Sequence, residues 1–547
     1  MPRVWSATWR ITLATAALAT LVACDHAARG EQEAHKEAAL PRMAQDYPIR
    51  PVPFTRVHVD DAFWSPRLEM NRTVTIPYAF KKCEETGRIS NFAVAGGLAE
   101  GTFRGTYFND SDVYKVLEGA AYALANHRDP GLERYVDDLI AKIAAAQEDD
   151  GYLYTSRTIL NPKKMPPGGK ERWSNISGGH ELYCVGHLYE AAVAHYQATG
   201  KRTLIDVALA NADLICRVFG PDGRHDPPGH QEIEIGLAKL YRITGERKYL
   251  ALAKFFLDAR GRKDGRKRLY GAYSQDHKPV VEQTEAVGHA VRAAYMYSGL
   301  ADIAALTGDA SYTEAIGRIW HDVVGAKMYV TGGIGARGGG EGFGKPYELP
   351  NSAAYCETCA SIAHAMWNHR MFLIHGDAKY LDVLERAVYN AFLGGVSIEG
   401  NRFFYANRLE SFRGERRAEW FGCACCPSNV CRFVPSIPGY VYAHRGGNLY
   451  VNLFIAGTGT VEMAEGTVRL TQATRYPWEG TVTITVAPER PGRFAVLVRI
   501  PGWARNRPVP SDLYRYVETS EARPTLKVNG REVPLALEKG FARVERQ

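Results

Sequence analysis

Five cysteines lie in two short stretches of the chain, YCETCASIAH at 355–364 and WFGCACCPSN at 420–429. Thiols at this density fit a disulfide cluster, a metal site or a reactive nucleophile. Adjacent cysteines such as Cys425 and Cys426 form only a strained disulfide. A chain of 547 residues also does not need disulfides to stabilise its core. We therefore favour a metal site.

The four candidate ligands are one glutamate and three cysteines. Glu357 and Cys359 are two positions apart, so they can share one ion only in a loop or in the first turn of a helix. Cys425 and Cys426 precede Pro427, which is typical of the start of a helix, and a helix N-terminus favours the thiolate form. One carboxylate and three thiolates suit tetrahedral Zn²⁺. A purely structural zinc clasp remains an alternative.

Histidines lie near the predicted starts of three helices: His180 in GGHELYCVGH, His230 in GHQEIEIGLAKLY and His289 in EQTEAVGHAVRAAY. A single such histidine is usually structural, but three in equivalent positions suit hydrogen bonding to sugar hydroxyls. The glycine-rich stretch 329–351 contains Glu341, and its glycines let the backbone approach a ligand closely. A phosphate loop is disfavoured because no Gly-Lys-Ser/Thr sequence is present.

A repeated helix–turn–helix pattern must position these residues. Gly200, Gly245, Gly308 and Gly376 each end one apolar-periodic segment and precede another, and 125–140 is a looser copy. The repeats differ in spacing and carry long insertions, which favours a closed ring over a regular solenoid. We therefore predict an (α/α)6 toroid whose inner helices begin around one cleft.

The pattern of apolar and polar residues changes after about residue 440. Short stretches alternate apolar and polar residues between Gly, Pro and Asn, as in the strands of a sandwich. The predicted fold is therefore mainly α with an appended all-β part: an (α/α)6 catalytic barrel over 46–440 followed by a β-sandwich domain over 441–547. Residues 46–110 show few helical signals and are interpreted as a lead-in to the barrel.

The N-terminus has the features of an export signal. Basic residues precede the apolar stretch 11–22, which is too short to span a bilayer, and LVAC follows. The Leu-Val-Ala-Cys ending resembles a bacterial lipobox with Cys24 as the lipidated residue. We predict a lipoprotein-type signal over 1–24, a flexible tether over 25–45, and a periplasmic or cell-surface location with membrane contact only through the anchor. An ordinary cleaved signal is the alternative.

The net charge of +7 does not indicate a nucleic-acid partner, because the basic residues are scattered. The densest run, RGRKDGRKR at 260–268, has no interleaved aromatic residues and reads as a solvated loop.

The motifs HELYCVGH, TGGIGARGGGEGFG, YCETCASIAH, FYANRLES and WFGCACCPSN together resemble the retaining β-L-arabinofuranosidases that use a zinc-bound cysteine as nucleophile. The resemblance runs from about Phe54 to the end of the chain. It implies an exo-acting glycoside hydrolase that releases L-arabinofuranose from an arabinose-containing plant glycan. The residues it implies are the nucleophile Cys425 and acid/base Glu341, the Zn²⁺ ligands Glu357, Cys359, Cys425 and Cys426, and the sugar-holding His180, His230, His289 and Tyr405.

The implied mechanism is double displacement. Glu341 protonates the leaving oxygen while Cys425 attacks the anomeric carbon, and water then hydrolyses the thioglycosyl intermediate with retention. Because Glu341 must carry a proton in the first step, we expect burial to raise its pKa.

Two departures from the family pattern and several rival functions stay open. PSN at 427–429 replaces the more usual Pro-Pro-Asn, and relatives continue beyond FARVERQ, so an incomplete β-sandwich is expected. The rivals are a glycosidase of the same mechanism acting on another plant-glycan sugar, such as an aceric-acid-type pectin branch, a sugar epimerase, and a non-catalytic glycan-binding lipoprotein with structural zinc. A homodimer is also left open.

Overall fold

The structure, a computed structural model, describes residues 10–15, 45–159, 171–412, 414–464 and 466–546. Three π-helical turns extend or join helices, at Asn71–Thr75, Val323–Lys327 and Ala387–Phe392. The α-helices of the described residues are α1 Trp64–Met70, α2 Ile76–Glu85, α3 Arg88–Ala95, α4 Asp110–Asn126, α5 Pro130–Ala145, α6 Thr155–Thr158, α7 Ile176–Gly179, α8 Glu181–Thr199, α9 Thr203–Val218, α10 Ile233–Thr244, α11 Arg247–Ala259, α12 Ala290–Thr307, α13 Ala310–Asp322, α14 Thr358–His375, α15 Ala378–Arg386 and α16 Cys425–Phe433.

Six largely buried helices form a closed ring. Each of α4, α8, α10, α12, α14 and α16 packs against the next, and α16 returns to α4. The helices that follow them in the chain, α5, α9, α11, α13 and α15, pack on the outside, and α2 packs against α16 and α4 in the sixth outer position. The predicted (α/α)6 toroid is confirmed.

Glycine caps end the inner helices at the predicted turns. Gly200, Gly245, Gly308 and Gly376 have φ angles of 71°, 75°, 75° and 64°, a left-handed conformation that glycine adopts without steric cost. After Gly308 and Gly376, the carboxylates of Asp309 and Asp377 accept a backbone hydrogen bond in the first turn of the outer helix. These turns make each inner helix run back along its outer partner.

Two sheets make up the all-β part. Their strands are ordered β11-β10-β1-β8-β7-β6-β3 and β12-β13-β9-β5-β4-β2. Strand β7 alternates buried and exposed residues, as predicted for a sheet with one face in the core. The described strands are β1 Arg10–Thr15, β2 Arg50–Pro51, β3 Val57–Val59, β4 Tyr442–Arg445, β5 Asn448–Val451, β6 Gly457–Met463, β7 Gly466–Thr474, β8 Val482–Pro488, β9 Phe494–Arg499, β10 Thr525–Val528, β11 Arg531–Val533, β12 Leu537–Glu538 and β13 Phe541–Arg546.

Part of the predicted lead-in lies in these sheets. Strand β2 pairs with β4, and β3 pairs with β6, so the chain enters the sheets before it enters the ring. The domain boundaries drawn from the sequence, 46–440 and 441–547, remain predictions.

The N-terminal predictions fall mostly outside the described residues. Within the predicted signal and tether, only residues 10–15 and 45 are described, and β1 lies between β8 and β10 in parallel register. Cys24 lies outside the described part of the chain. Among the described helices, none combines the length and the apolar character needed to cross a bilayer.

Candidate active site

The four candidate metal ligands lie together at the starts of two neighbouring inner helices. Glu357 is the residue that precedes α14, and Cys359 is the second residue of that helix. Cys425 and Cys426 are the first two residues of α16. One ligand atom from each of the four lies within 4.8 Å of the others. The convergence expected in a first helical turn is therefore what the structure shows.

The sulfur separations match a shared ion. The Sγ atoms of Cys359 and Cys426 are 3.5 Å apart, those of Cys425 and Cys426 are 3.9 Å apart, and Cys425 Sγ lies 3.5 Å from Glu357 Oε1. Two sulfurs at about 2.3 Å from a tetrahedral zinc are about 3.8 Å apart. A disulfide needs about 2.05 Å, and all nine cysteines in the described part of the chain are free thiols.

The electrostatics of this cluster also favour a cation. Glu357 is buried, and its Oε2 has no hydrogen-bond partner among the described residues. Burial, and then the negative charge of Cys425 and Glu341, raise the pKa of the Glu357 carboxyl. Burial also acts to raise the pKa of Cys359, but hydrogen bonds with Cys425 and Cys426 lower it to about 7. A buried set of four acidic groups with an unpartnered oxygen can hold a metal ion, and its donor types fit zinc.

Cys425 is the most exposed of the three candidate ligand thiols. It is half-buried, whereas Cys359 and Cys426 are buried. Its Sγ lies 3.1 Å from the hydroxyl of Tyr405, which also lies 3.6 Å from Cys423 Sγ. Tyr405 therefore lies between the predicted nucleophile and a further thiol, that of Cys423. The sequence analysis assigned no role to Cys423, although its position in the CACC run was a signal that could have identified it.

The glycine-rich loop brings Glu341 to the same cleft. Glu341 adopts a left-handed conformation with φ 50°, and its carbonyl oxygen accepts a hydrogen bond from the backbone N–H of Ala290. The next residue, Gly342, packs closely against Gly288. A Cβ atom at position 342 would lie 2.7 Å from the carbonyl oxygen of Gly288. An oxygen of Glu341, an oxygen of Glu357 and a nitrogen of His289 lie within 4.8 Å of one another.

The expected rise in the pKa of Glu341 is not what the structure gives. Burial acts to raise this pKa, but the hydrogen bonds with His289 and Tyr355 lower it below its ordinary value. The two bonds join His289 Nε2 to Oε2 at 2.7 Å and the Tyr355 hydroxyl to Oε1 at 2.8 Å. The expectation was wrong because burial alone was considered and the two partners were not.

The three predicted histidines meet in one wall of the cleft. His180 precedes α8, His230 lies just before α10, and His289 precedes α12. The ring centroids of His180 and His230 are 5.8 Å apart, and those of His230 and His289 are 5.6 Å apart. Burial, and then the charge of Arg292, lower the pKa of His180 to about 3. The same two causes lower the pKa of His230. These imidazoles are therefore neutral at physiological pH.

Sequence analysis missed several residues of this wall. The ring of Tyr183 lies 4.3 Å from that of His230, and Phe108 stacks on His180 at 4.6 Å. Tyr355 and Arg292 lie within the quoted motifs, two residues before Glu357 and three after His289. Tyrosine and arginine are common in cores and on surfaces, so no local pattern singled them out.

Known proteins are similar to this chain in sequence and in fold. The family model described as "Beta-L-arabinofuranosidase, GH127 catalytic domain" matches residues 56–439, and the GH127 middle-domain model matches 448–547. The non-reducing end β-L-arabinofuranosidase of Bifidobacterium longum subsp. longum is 38% identical over 490 residues, which cover 83% of this chain and 71% of that protein.

Two solved structures extend this similarity. One is a GH127 β-arabinofuranosidase, 51% identical, with a TM-score of 0.86 and coverage of 92% of this chain and 79% of the other. The second is a GH127 β-L-arabinofuranosidase from Geobacillus stearothermophilus T6, 40% identical, with a TM-score of 0.82 and coverage of 90% and 79%. The resemblance found in the motifs is thus confirmed over most of the chain, and the protein belongs to the GH127 β-L-arabinofuranosidase family of glycoside hydrolases.

Proposed function

We propose that this protein is an exo-acting, retaining, zinc-dependent β-L-arabinofuranosidase that releases L-arabinofuranose through a thioglycosyl intermediate on Cys425. The observation that carries the proposal is the placing of a free thiol and two carboxylates at one cleft. Cys425 Sγ lies 3.5 Å from Glu357, and an oxygen of Glu357 lies within 4.8 Å of one of Glu341. The proposed nucleophile and the proposed acid/base therefore both lie next to Glu357. A thiol that can form a covalent bond to the sugar supports retention, because retaining enzymes work through a covalent intermediate.

Each step uses residues already described. Zn²⁺ held by Glu357, Cys359, Cys425 and Cys426 would keep the thiols deprotonated at neutral pH. The Cys425 sulfur attacks C1 of the sugar while the bond from C1 to the leaving oxygen breaks and Glu341 gives that oxygen a proton. Glu341 then takes a proton from water, the water oxygen bonds to C1, and the carbon–sulfur bond breaks.

The partners of Glu341 suit this change of role. In the free protein His289 and Tyr355 both bind its carboxyl and keep its pKa low. When the leaving oxygen replaces one of these partners, one cause of the low pKa is removed. The pKa of the Glu341 carboxyl then rises, so the carboxyl can carry the proton that it gives to the leaving oxygen.

We assign sugar binding to His180, His230, His289 and Tyr405. The Nδ1 atoms of His180 and His230 donate to the backbone carbonyl oxygens of Gly178 and Gln231, so in these neutral rings Nε2 is left to accept a hydrogen bond from a sugar hydroxyl. A protonated imidazole would only donate. The low pKa values of the buried histidines therefore keep the wall suited to a neutral sugar down to acidic pH.

The test is to trap the intermediate. The protein is mixed briefly with an activated β-L-arabinofuranoside, quenched in acid and digested, and mass spectrometry locates any pentosyl adduct. We expect the adduct on Cys425 in the wild type and in Cys423→Ser, and none in Cys425→Ser. An adduct on Cys423, or an inverted product, would overturn the assignment. A panel of other aryl glycosides separates arabinofuranose from the acidic pectin sugar considered above.

We also propose that the protein is an exported lipoprotein anchored through Cys24. The support is the LVAC sequence at 21–24 after the apolar stretch 11–22. In a bacterial host, labelled palmitate should enter the wild type but not Cys24→Ala. Equal labelling of the two would contradict the anchor.

A further inference from the structure

Arg292, in the first turn of α12, is a buried cation that the proposed mechanism does not use. Its side chain is about 5% exposed. Its Nη1 donates to the carbonyl oxygen of Gly229 at 2.6 Å and to Ser274 Oγ at 3.0 Å, and the guanidinium lies over the ring of Tyr273, 4.5 Å from its centroid. Its Nε is buried without a hydrogen-bond partner among the described residues.

The donors of this guanidinium are only partly used. An arginine offers five N–H groups, and Nη1 accounts for both hydrogen bonds that Arg292 makes to the described residues. No carboxylate of the described chain forms an ion pair with it within 4.0 Å. Burying a charge without a partner is costly, so unused donors at the edge of a cleft indicate a ligand that pairs with them.

Arg260 shows the contrast. It lies in the run 260–268, which was expected to be a solvated loop, but it is buried and binds the same two loops. Its Nη1 donates to the carbonyl oxygen of Ser274 at 2.9 Å, and its Nη2 donates to that of Pro228 at 2.6 Å. Glu234 lies 3.6 Å from the same Nη2 and supplies a counter-charge. Both Nη atoms of Arg260 are therefore occupied by the protein, as expected of a structural arginine, whereas Nη2 of Arg292 makes no hydrogen bond to the described residues. Nε is buried and unpartnered in both arginines.

The position of Arg292 places its free donors beside the sugar-holding wall. Gly229, which it binds, precedes His230, and Arg292 itself lies three residues after His289. The ring of Tyr273, on which it packs, lies 5.8 Å from that of His289. The guanidinium thus lies next to two of the three imidazoles and is held by two separate loops.

We infer that Arg292 is a specificity-determining residue, which donates a hydrogen bond from its unused Nη2 to one hydroxyl oxygen of the bound sugar. The inference rests on the proposed function, because it takes the cleft to be a furanose site. The neutral rings of His180 and His230 spend their N–H on backbone carbonyl oxygens and so only accept from a hydroxyl, whereas a guanidinium only donates. Arg292 therefore fixes one hydroxyl as an acceptor and so selects the configuration at its carbon.

Substrate analogues give the test. Wild type, Arg292→Met and Arg260→Met are assayed with an aryl β-L-arabinofuranoside and with its 2-, 3- and 5-deoxy analogues. A hydrogen bond from a charged donor predicts that Arg292→Met lowers kcat/KM on the parent by about 10- to 100-fold. On the analogue that lacks the contacted hydroxyl, the same variant should match the wild type within about twofold, because the interaction is already absent.

The control and the contrary outcomes are defined by the same panel. Arg260→Met should lose the same factor on all four substrates, as a purely structural lesion does. If Arg292→Met also loses one common factor on all four, Arg292 contacts no hydroxyl and the inference is wrong. Should Arg292→Met fail to fold, Arg292→Lys is used, and it should show the same selective loss on a smaller scale.

A wild type that hydrolyses no arabinofuranoside would overturn the proposed function and leave the inference testable. Calorimetric binding of L-arabinose and its deoxy forms to the wild type and to Arg292→Met then replaces kinetics. The inference holds if the variant's loss of affinity vanishes for one deoxy sugar and is overturned if it does not.

Discussion

The sulfur of Cys359 lies 3.5 Å from the sulfur of Cys426, although 67 positions separate the two residues in the chain. Each lies in the first turn of an inner helix, α14 or α16, and these helices are neighbours in the ring. Neither stretch has four ligands by itself. The candidate metal site therefore forms only when α14 and α16 pack together.

Replacing Glu357 with glutamine should remove most of the bound zinc. The change keeps the shape of the side chain but removes the charge that the ion needs. Metal content per protein is measured by atomic spectrometry after dialysis. The matched control is Glu348→Gln, whose carboxylate pairs with Arg337 on the surface and should leave metal content unchanged. Full zinc occupancy in Glu357→Gln would contradict the ligand set.

Replacing Glu341 with glutamine should lower turnover by about 10²- to 10⁴-fold, the usual contribution of a general acid/base. The fold should persist, since this half-exposed side chain lies at the cleft surface, and a thermal melt checks it. The loss of bond-cleaving rate should be smaller with a nitrophenyl leaving group than with a sugar leaving group, because the former departs without a proton. An equal loss with both would argue against the acid role.

Replacing Gly119 with alanine should disturb the thiol-bearing helix. A Cβ atom at Gly119, on α4, would lie 2.3 Å from the carbonyl oxygen of Cys431 on α16. Overpacking of this kind costs about 1–3 kcal/mol of unfolding free energy, and we also expect weaker metal retention. Gly317→Ala, on α13 with open space around it, is the control and should stabilise by about 0.5–1 kcal/mol. Urea denaturation of both variants measures the difference.

Replacing Arg432 with methionine should destabilise the ring by about 3–5 kcal/mol, because buried carboxylates lose their counter-charge. Its Nη1 lies 3.0 Å from Glu118 on α4 and 2.5 Å from Glu190 on α8, and its Nη2 donates to the Tyr295 hydroxyl on α12. Chemical denaturation gives the value.

The control for this charge cluster is a surface pair. Arg402→Met removes an exposed partner of Glu419 and should cost less than about 1 kcal/mol. Equal losses in Arg402→Met and Arg432→Met would show that the buried cluster adds nothing to stability.

The fold should lose stability as the pH falls below about 6.5, the ordinary pKa of histidine. Burial lowers the pKa of His364 to about 4 and that of His369 to about 3. The unfolded chain therefore binds protons between pH 6.5 and 4 that the native state does not, and each such histidine removes up to about 1.4 kcal/mol per pH unit. Denaturation at pH 7, 6 and 5 measures the slope. His364→Gln should reduce this slope by about one proton; an unchanged slope would show that His364 does not contribute.

Much of the ring and the thiol cluster could be predicted from local signals. Glycines such as Gly200 and Gly376 mark helix ends because the residue after the helix adopts a left-handed backbone, which glycine favours, and the glycine is visible in the sequence. The donor types of Glu357, Cys359 and the CACC run indicated one zinc set, and the resemblance supported it, but no local rule joins segments so far apart in the chain. The partners of Glu341 and the placing of Arg292 depend on which loops meet at the cleft, which the sequence pattern alone does not specify.

The N-terminal strands were missed for a physical reason. Strands β2 and β3 have two and three residues, too few to show an alternating pattern. Their partners, β4 and β6, follow the whole ring in the chain.

This pairing sets a delay in biosynthesis. Val59 of β3 pairs with Gly457 of β6, so a nascent chain adds roughly 400 residues before that partner exists, which takes about 20–80 s at about 5–20 residues per second. During that interval the first strands stay unpaired while the helices between them are made. These strand pairs can form only after the whole ring has been synthesised. Strands β2 and β3, which precede the ring in the chain, are therefore among the last elements to pair.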